Sequence, residues 1–349
     1  MSKILILSFI LIMFNCNEDP YPYGTGHFNE SVINFEEVNT EYDDYNSDAP
    51  VIYYRYLFHF SSNRNSSGND FDIVGENMYI DWSMYNGTLK IGTDLFDDGR
   101  FGYLRPMFDS INTSCNELGP YSLVFNQIIG HSDLWTNLIM FANDCDGNYD
   151  IKFIYSESHY TDGETMTEIK PIQKIDFLNS SANDLYPAFY GNGMYYPDEW
   201  AINKVSKIEK ILFCSDREGT FDLYSVNVPS DSTLIKTLQS DSQFEIKKLA
   251  INSEQDDKCP FVNGNLLVFS SNRTGGFGGY DLYYSEYKDG NWTEPKNFGD
   301  KINTEYDEYR PIVLFIYEFD NNLMIFSSNR PGGKGGFDLY YVGIKQMIK

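Results

Sequence analysis

Short apolar runs alternate with polar turns along most of the chain. The run "LVFSS" from Leu267 meets the turn "NRTGGFGG" and then "YDLYYSE"; "MIFSS" from Met324 meets "NRPGGKGG" and then "FDLYYVG". Apolar runs of this length, bounded by Gly, Asn and Asp, predict strands joined by hairpins. Related strand–turn–strand units start at Leu57, Leu138 and Ile211, so the unit is met five times. Its second strand opens on Asp72, Asp150, Asp222, Asp281 or Asp338. Arg64, Arg217, Arg273 and Arg330 stand before the turn in four copies, and Asp144 is assigned that place in the second.

A second element precedes each hairpin. It reads "INTEYDEYRP" from Ile302 and "INSEQDDKCP" from Ile251, with relatives at Leu178, Ile111 and Val38. An acid follows its Asn by five residues: Asp44, Glu117, Asp184, Asp257 and Glu308. Taking the proline that follows as the start of an inner strand gives a unit of four antiparallel strands. Repetition of such a unit is the signature of β-propeller blades. The last copy has only three strands, and "ESVINFEEVNTEYDD" from Glu30 parallels the fourth-strand segment "EPKNFGDKINTEYDE" from Glu294. The expected fold is therefore all-β: a closed five-bladed propeller of four-stranded antiparallel sheets, with an N-terminal strand completing the last blade. Six blades is the alternative, with a degenerate blade hidden near Phe101–Asn112 or Tyr195–Lys210. Expected boundaries are a signal peptide over 1–15, a tether over 16–29 and one propeller over 30–349.

Composition agrees with strands, since aromatic residues make up 17% of the chain. With 51 acidic against 26 basic side chains the formal charge is -25, which disfavours nucleic acid and anionic lipid as partners. Ile4 to Phe14 is an apolar run following Lys3, too short for a permanent span and suited to an export signal. It stops at Cys16, which resembles the lipidated cysteine of bacterial lipoproteins; an ordinary cleaved signal is the other reading. Lipid on Cys16 would place the chain at an outer membrane or cell surface. Export also permits disulfides, and position within the repeat favours Cys115–Cys145 and Cys214–Cys259.

The motifs "FSSNR-x-GG-x-GG-x-DLY", "INTEYDEYRP" and "GNWTEPKNFG" resemble the WD40-like, TolB-type propeller repeat family. That resemblance implies a binding or scaffolding role. Read from the residues, the repeated pairs Arg64 with Asp72, Arg217 with Asp222, Arg273 with Asp281 and Arg330 with Asp338 suit structural staples. A ring of ligand-binding guanidiniums is the alternative. Asp144, Asp146, Asn148 and Asp150 alternate around Gly147 and offer hard oxygen ligands for Ca²⁺, or else form a solvated acidic turn. The link acids Asp44, Glu117, Asp184, Asp257 and Glu308, with Trp200, Tyr306 and Tyr309, are candidates for a surface that binds a protein or glycan.

Catalysis is disfavoured on three grounds. Inner strands that begin at proline carry no acid near their start. There is no GxSxG elbow, and the four histidines lack evident partners. The expected function is thus a non-catalytic surface lipoprotein that binds or scaffolds. The alternative is a secreted carbohydrate-active hydrolase using loops near Arg105 or Trp200.

Overall fold

The computed structural model describes residues 22–52, 55–94, 104–129, 132–161, 164–191, 194 and 208–348. Five antiparallel sheets follow one another along the chain. Their inner strands are Asp44–Asp48, Glu117–Ile129, Asp184–Tyr190, Asp257–Asn263 and Glu308–Leu314. Each inner strand lies against its neighbours, and the last lies against the first, so that the sheets surround a common axis as a roughly five-bladed propeller. No helix among the described residues is long and apolar enough to cross a membrane.

The expectation of a closed propeller of uniform four-stranded sheets is corrected. Each sheet is open, running in line from its inner strand outward without closing on itself. Three of the five have a fifth strand, while the third and fifth sheets have four. The extra strands are short segments, Val51–Ile52, Gln173–Lys174 and Lys296–Asn297, that pair where the chain runs alongside a longer strand. Strand Ile33–Asn34 pairs with Tyr341 and Tyr340 of the last sheet. The segment before it, expected in the tether, is packed in part: Phe28 is buried and stacks on Phe319 at 3.9 Å between ring centroids.

The repeated Asn of each link has one job, performed five times. Asn39, Asn112, Asn179, Asn252 and Asn303 each accept the N–H and donate to the C=O of the second residue in a third strand. The residues clasped are Leu339, Ile73, Ile151, Leu223 and Leu282. One side-chain amide thus satisfies the backbone N–H and adds a donor to the C=O, which in Leu339, Ile151, Leu223 and Leu282 also accepts a backbone N–H from Phe35, Ile175, Leu249 and Phe298.

Each inner strand begins on its link acid, three or more residues before the proline. A bulge follows, and its central residue is left-handed: Asn46, Gly119, Tyr186, Cys259 and Arg310 have φ of 60°, 60°, 54°, 56° and 47°. For the four that are not glycine this conformation costs roughly 1–2 kcal/mol each, so neighbouring contacts must hold it. Asn46 and Arg310 donate their backbone N–H to Ser327 and Ser270 of the preceding sheet, both at 3.1 Å. At the equivalent position Cys214 faces Cys259. The expected Cys214–Cys259 disulfide is absent; both thiols are free and buried.

The expected staple is also corrected. Arg64, Arg217, Arg273 and Arg330 reach back to the link acid of their own blade, with Nη2 at 2.6, 2.5, 2.6 and 2.8 Å from Asp44, Asp184, Asp257 and Glu308. They do not take Asp72, Asp222, Asp281 and Asp338 because those carboxylates are already engaged. Asp281 accepts from the N–H groups of Phe277 and Gly278, and Asp338 from those of Lys334 and Gly335. Lys248 pairs with Asp222 at 2.6 Å, and Asn65 donates to Asp72 at 3.0 Å. Each stapling arginine also donates to a link carbonyl, at Val38, Leu178, Ile251 or Ile302. It lies over a core ring of its own sheet, at Phe60, Phe213, Phe269 or Phe326.

Removing one staple tests its weight. Arg273→Met leaves the Asp257 carboxylate buried without a cation, and the expected loss is about 3–5 kcal/mol. Asp257→Asn in the same chain should restore part of it. Urea unfolding of the three proteins checks this; a loss below about 1 kcal/mol would make the pair ornamental.

Candidate functional site

All five link acids are fully buried, so they are not the exposed binding surface expected of them. One is unlike the rest. Glu117 pairs in the ladder with Asn143, as Asp44 does with Ser62 and Asp257 with Ser271. That register puts Asp144 level with Asn63 and Asn272, and Cys145 level with the stapling arginines. Asp144 behaves accordingly: it accepts from the N–H and Nδ2 of Asn116, as Asn63 accepts from the N–H of Asp43. Cys145 in turn is bonded to Cys115 in the link, with Cα atoms 5.4 Å apart. In this blade a disulfide spans the gap that an arginine spans in the other four.

A disulfide ties the turn to the link but carries no charge. Glu117 is left with Thr113, whose Oγ1 and N–H donate at 2.7 and 3.2 Å, and Asn143 at 3.5 Å. Burial, with a further push from the nearby Asp72 carboxylate, lifts its carboxyl from the ordinary 4.5 to about 7; the bonds from Thr113 and Asn143 act the other way. Asp72 has an amide partner in Asn65 and no cation paired with it among the described residues, whereas the equivalent Asp150 and Asp222 have Lys174 and Lys248. Two carboxyl groups therefore face one junction between the first and second blades.

The calcium reading of Asp144, Asp146, Asn148 and Asp150 does not fit this loop. Asp146 pairs with Lys152 at 2.9 Å and Asp150 with Lys174 at 2.7 Å, while Asn148 donates to Ala182 O at 2.6 Å. The four side chains point to separate partners, and among the described residues no group of three acids, histidines or cysteines converges on a metal position.

On the side of the link acids the axis ends in a ring of half-buried aromatics. Phe71, Tyr149, Phe221, Tyr280 and Phe337 each precede a third strand; Tyr45, Lys258 and Tyr309 follow link acids on inner strands. Tyr45 meets Phe71 edge-on at 4.9 Å, Tyr309 meets Tyr280 at 5.3 Å, and Lys258 Nζ lies 4.0 Å above Phe221. Burial and the charges of Asp144 and Glu117 raise Tyr149 to about 12, which places the Glu117 junction at the rim of this mouth. Deeper on the axis lie the bulge residues, among them Tyr186 edge-on to Tyr309.

Sequence reasoning singled out Tyr309, which belongs to this ring, and Tyr306, which is half-buried in the adjoining link. Trp200 and Cys16 lie outside the described residues. Arg105 starts the short helix α1 (Arg105–Ile111), over a cavity of about 220 Å³ against the first sheet. His59, thought partnerless, is buried and meets Ser122 Oγ at 2.9 Å; burial lowers it to about 3, so it is neutral. The ground for excluding acids on inner strands also falls, since those strands begin on acids. Two signals for the site were present in the sequence. They are the absence of arginine from one copy of five and the pair of cysteines in that same copy.

No family model matches the sequence, and no curated protein matches it. Several solved structures do resemble the chain. One is a glycoside hydrolase, 10% identical with TM-score 0.48, matching over 95% of this chain and 93% of that one. A putative glycoside hydrolase from Parabacteroides distasonis is 9% identical with TM-score 0.44, over 95% and 100%. A Trypanosoma rangeli sialidase in complex with the inhibitor DANA is 9% identical with TM-score 0.41, over 90% of this chain and 58% of its own. The chain thus spans 58% of the length of that sialidase. These findings correct the resemblance to the WD40-like, TolB-type family, which no match supports. The expectation of a non-catalytic binding or scaffold protein finds no support among them either: the similar structures bear the names of glycoside hydrolases and a sialidase.

The unusual state of Glu117 has a measurable consequence for stability. A carboxyl raised in the folded state holds its proton more tightly there than in the unfolded chain. It costs nothing below about pH 4.5, costs progressively more as pH rises to about 7, and stays constant above. Glu117→Gln removes that dependence. The difference in Tm between the variant and the parent should grow by about 2–5 °C in the variant's favour from pH 5 to pH 8. A difference that stays flat across this range would show that Glu117 titrates normally.

Proposed function

We propose that this chain is a carbohydrate-active, glycosidase-like propeller that takes a glycan at the aromatic mouth of its axis. The observation that carries the reading is Glu117, a carboxyl lifted to about 7 at a junction where its blade lacks the arginine of the others. Glycoside hydrolysis needs one carboxyl that is protonated near working pH and a second that is ionised. Glu117 fits the first role, and Asp72 is the neighbouring carboxyl group assigned the part of base. In the reaction Glu117 gives its proton to the glycosidic oxygen as the bond to the anomeric carbon breaks. Water adds to that carbon and loses its proton to Asp72. Thr113, which is exposed and donates to Glu117, is the residue a substrate displaces to reach the carboxyl. The half-buried rings of Tyr45, Phe71, Tyr149 and Phe337 offer flat apolar faces on which sugar rings stack.

Release of reducing ends from a panel of polysaccharides between pH 4 and pH 9 tests this. Hydrolysis is expected with a falling limb near pH 7, and Glu117→Gln should lower it at least about 100-fold with the fold intact. Hydrolysis indifferent to Glu117→Gln, or glycans bound but never cleaved, would defeat the assignment. We also place the protein at the cell envelope, exported and held by lipid on Cys16, on the strength of the apolar run Ile4–Phe14 that ends there. Cys16→Ser should then move it to the soluble fraction; a mature chain with an unmodified Cys16 thiol would contradict the anchor.

A further inference from the structure

Beneath the mouth, the axis holds a charge that no staple uses. Arg310 is fully buried, and no other fully buried side chain among the described residues is larger. It sits at the left-handed position of the fifth inner strand, with φ of 47°, and its side chain reaches the second and third inner strands. Nη2 donates to Pro120 O of the second inner strand at 3.1 Å, and the guanidinium carbon lies 5.3 Å over the ring of Tyr186 from the third. Nε and Nη1 have no hydrogen-bond partner among the described residues. Asn46 from the first inner strand donates to Tyr186 Oη at 3.4 Å, and its own Oδ1 is likewise unpartnered.

A guanidinium keeps its charge in any surroundings. The four stapling arginines each have a carboxylate within 2.8 Å, although they are partly exposed. Arg310 is more deeply buried and no ion pair is found for it among the described residues. Asp48 shares Tyr121 with it as a neighbour, but the carboxylate of Asp48 accepts the N–H of Ser122 at 2.6 Å. The thiol of Cys259 and the phenol of Tyr186 are kept neutral by burial, so neither supplies a counter-charge. A buried cation in such a setting costs several kcal/mol unless an anion meets it.

We infer that Arg310 forms an axial site for a compact monovalent anion, a halide or a carboxylate group, bound through Nε and Nη1 beside Tyr186 and Asn46. The fork of a guanidinium suits both chemistries. The site does not depend on the hydrolytic reading, and it ties three inner strands to one ion.

The test uses the full chain in a buffer whose only anion is a bulky sulfonate. Bromide or formate then replaces that sulfonate at constant ionic strength. A saturable rise in Tm of about 2–4 °C is expected. Arg310→Met should abolish it, and crystals grown with bromide should show anomalous density within about 3.5 Å of Nε or Nη1. The bromide crystals keep the test decisive if the variant fails to fold. A rise with both anions supports a general anion site, and a rise with formate alone assigns a carboxylate. A Tm that follows total salt whatever the anion, or crystals grown with bromide and with formate that show neither anion at Arg310, overturns the proposal.

Discussion

The structure turns on a buried carboxylate at the head of every inner strand. A carboxylate out of water must be met by donors, and here the donors are drawn from two separate pieces of chain. For Asp257 they are Ser253 of the link, at 2.5 and 3.0 Å, and Arg273 beyond the second strand, at 2.6 Å. The arginine in turn holds Ser271 and the carbonyl of Ile251. One buried charge therefore sets where the link turns, where the inner strand starts and how far the hairpin leans toward the axis. The left-handed bulge two residues on is affordable because its entry is clamped in this way.

The periodicity of apolar runs made the strands legible, as did the parallel between Glu30 and Glu294 for the strand that joins the last sheet. The link asparagines were visible as a repeat, but their grip on the preceding sheet was not, since a backbone partner leaves no mark in the sequence. The bulge was hidden for a related reason. Its left-handed position is filled by Asn, Gly, Tyr, Cys and Arg in turn, so no glycine signal recurs. Reading the proline as the first strand residue then pushed each acid out into a loop, and the exclusion of acid chemistry followed from that displacement. The same one-residue uncertainty set Asp144, rather than Cys145, level with the arginines. The ladder pairing of Glu117 with Asn143 settles that register.

Repetition works against chemistry. Four of the five buried acids are met by the same cation in the same place. The second blade meets the mechanical demand by a different bond. Cys115–Cys145 joins the same turn to the same link, which releases this blade from needing an arginine there. A neutral bridge cannot offset a buried negative charge, however, so the cost of burial falls on the carboxyl itself and appears as a raised affinity for a proton. Glu117 thus differs from Asp257 in one respect: the same position and the same burial, with a covalent tie in place of an ionic one. The axis shows the complementary case, with the cation of Arg310 retained and its carboxylate missing. In both places the departure from the repeat leaves one half of an ion pair inside the protein, and a half-pair is what a substrate or an ion can complete.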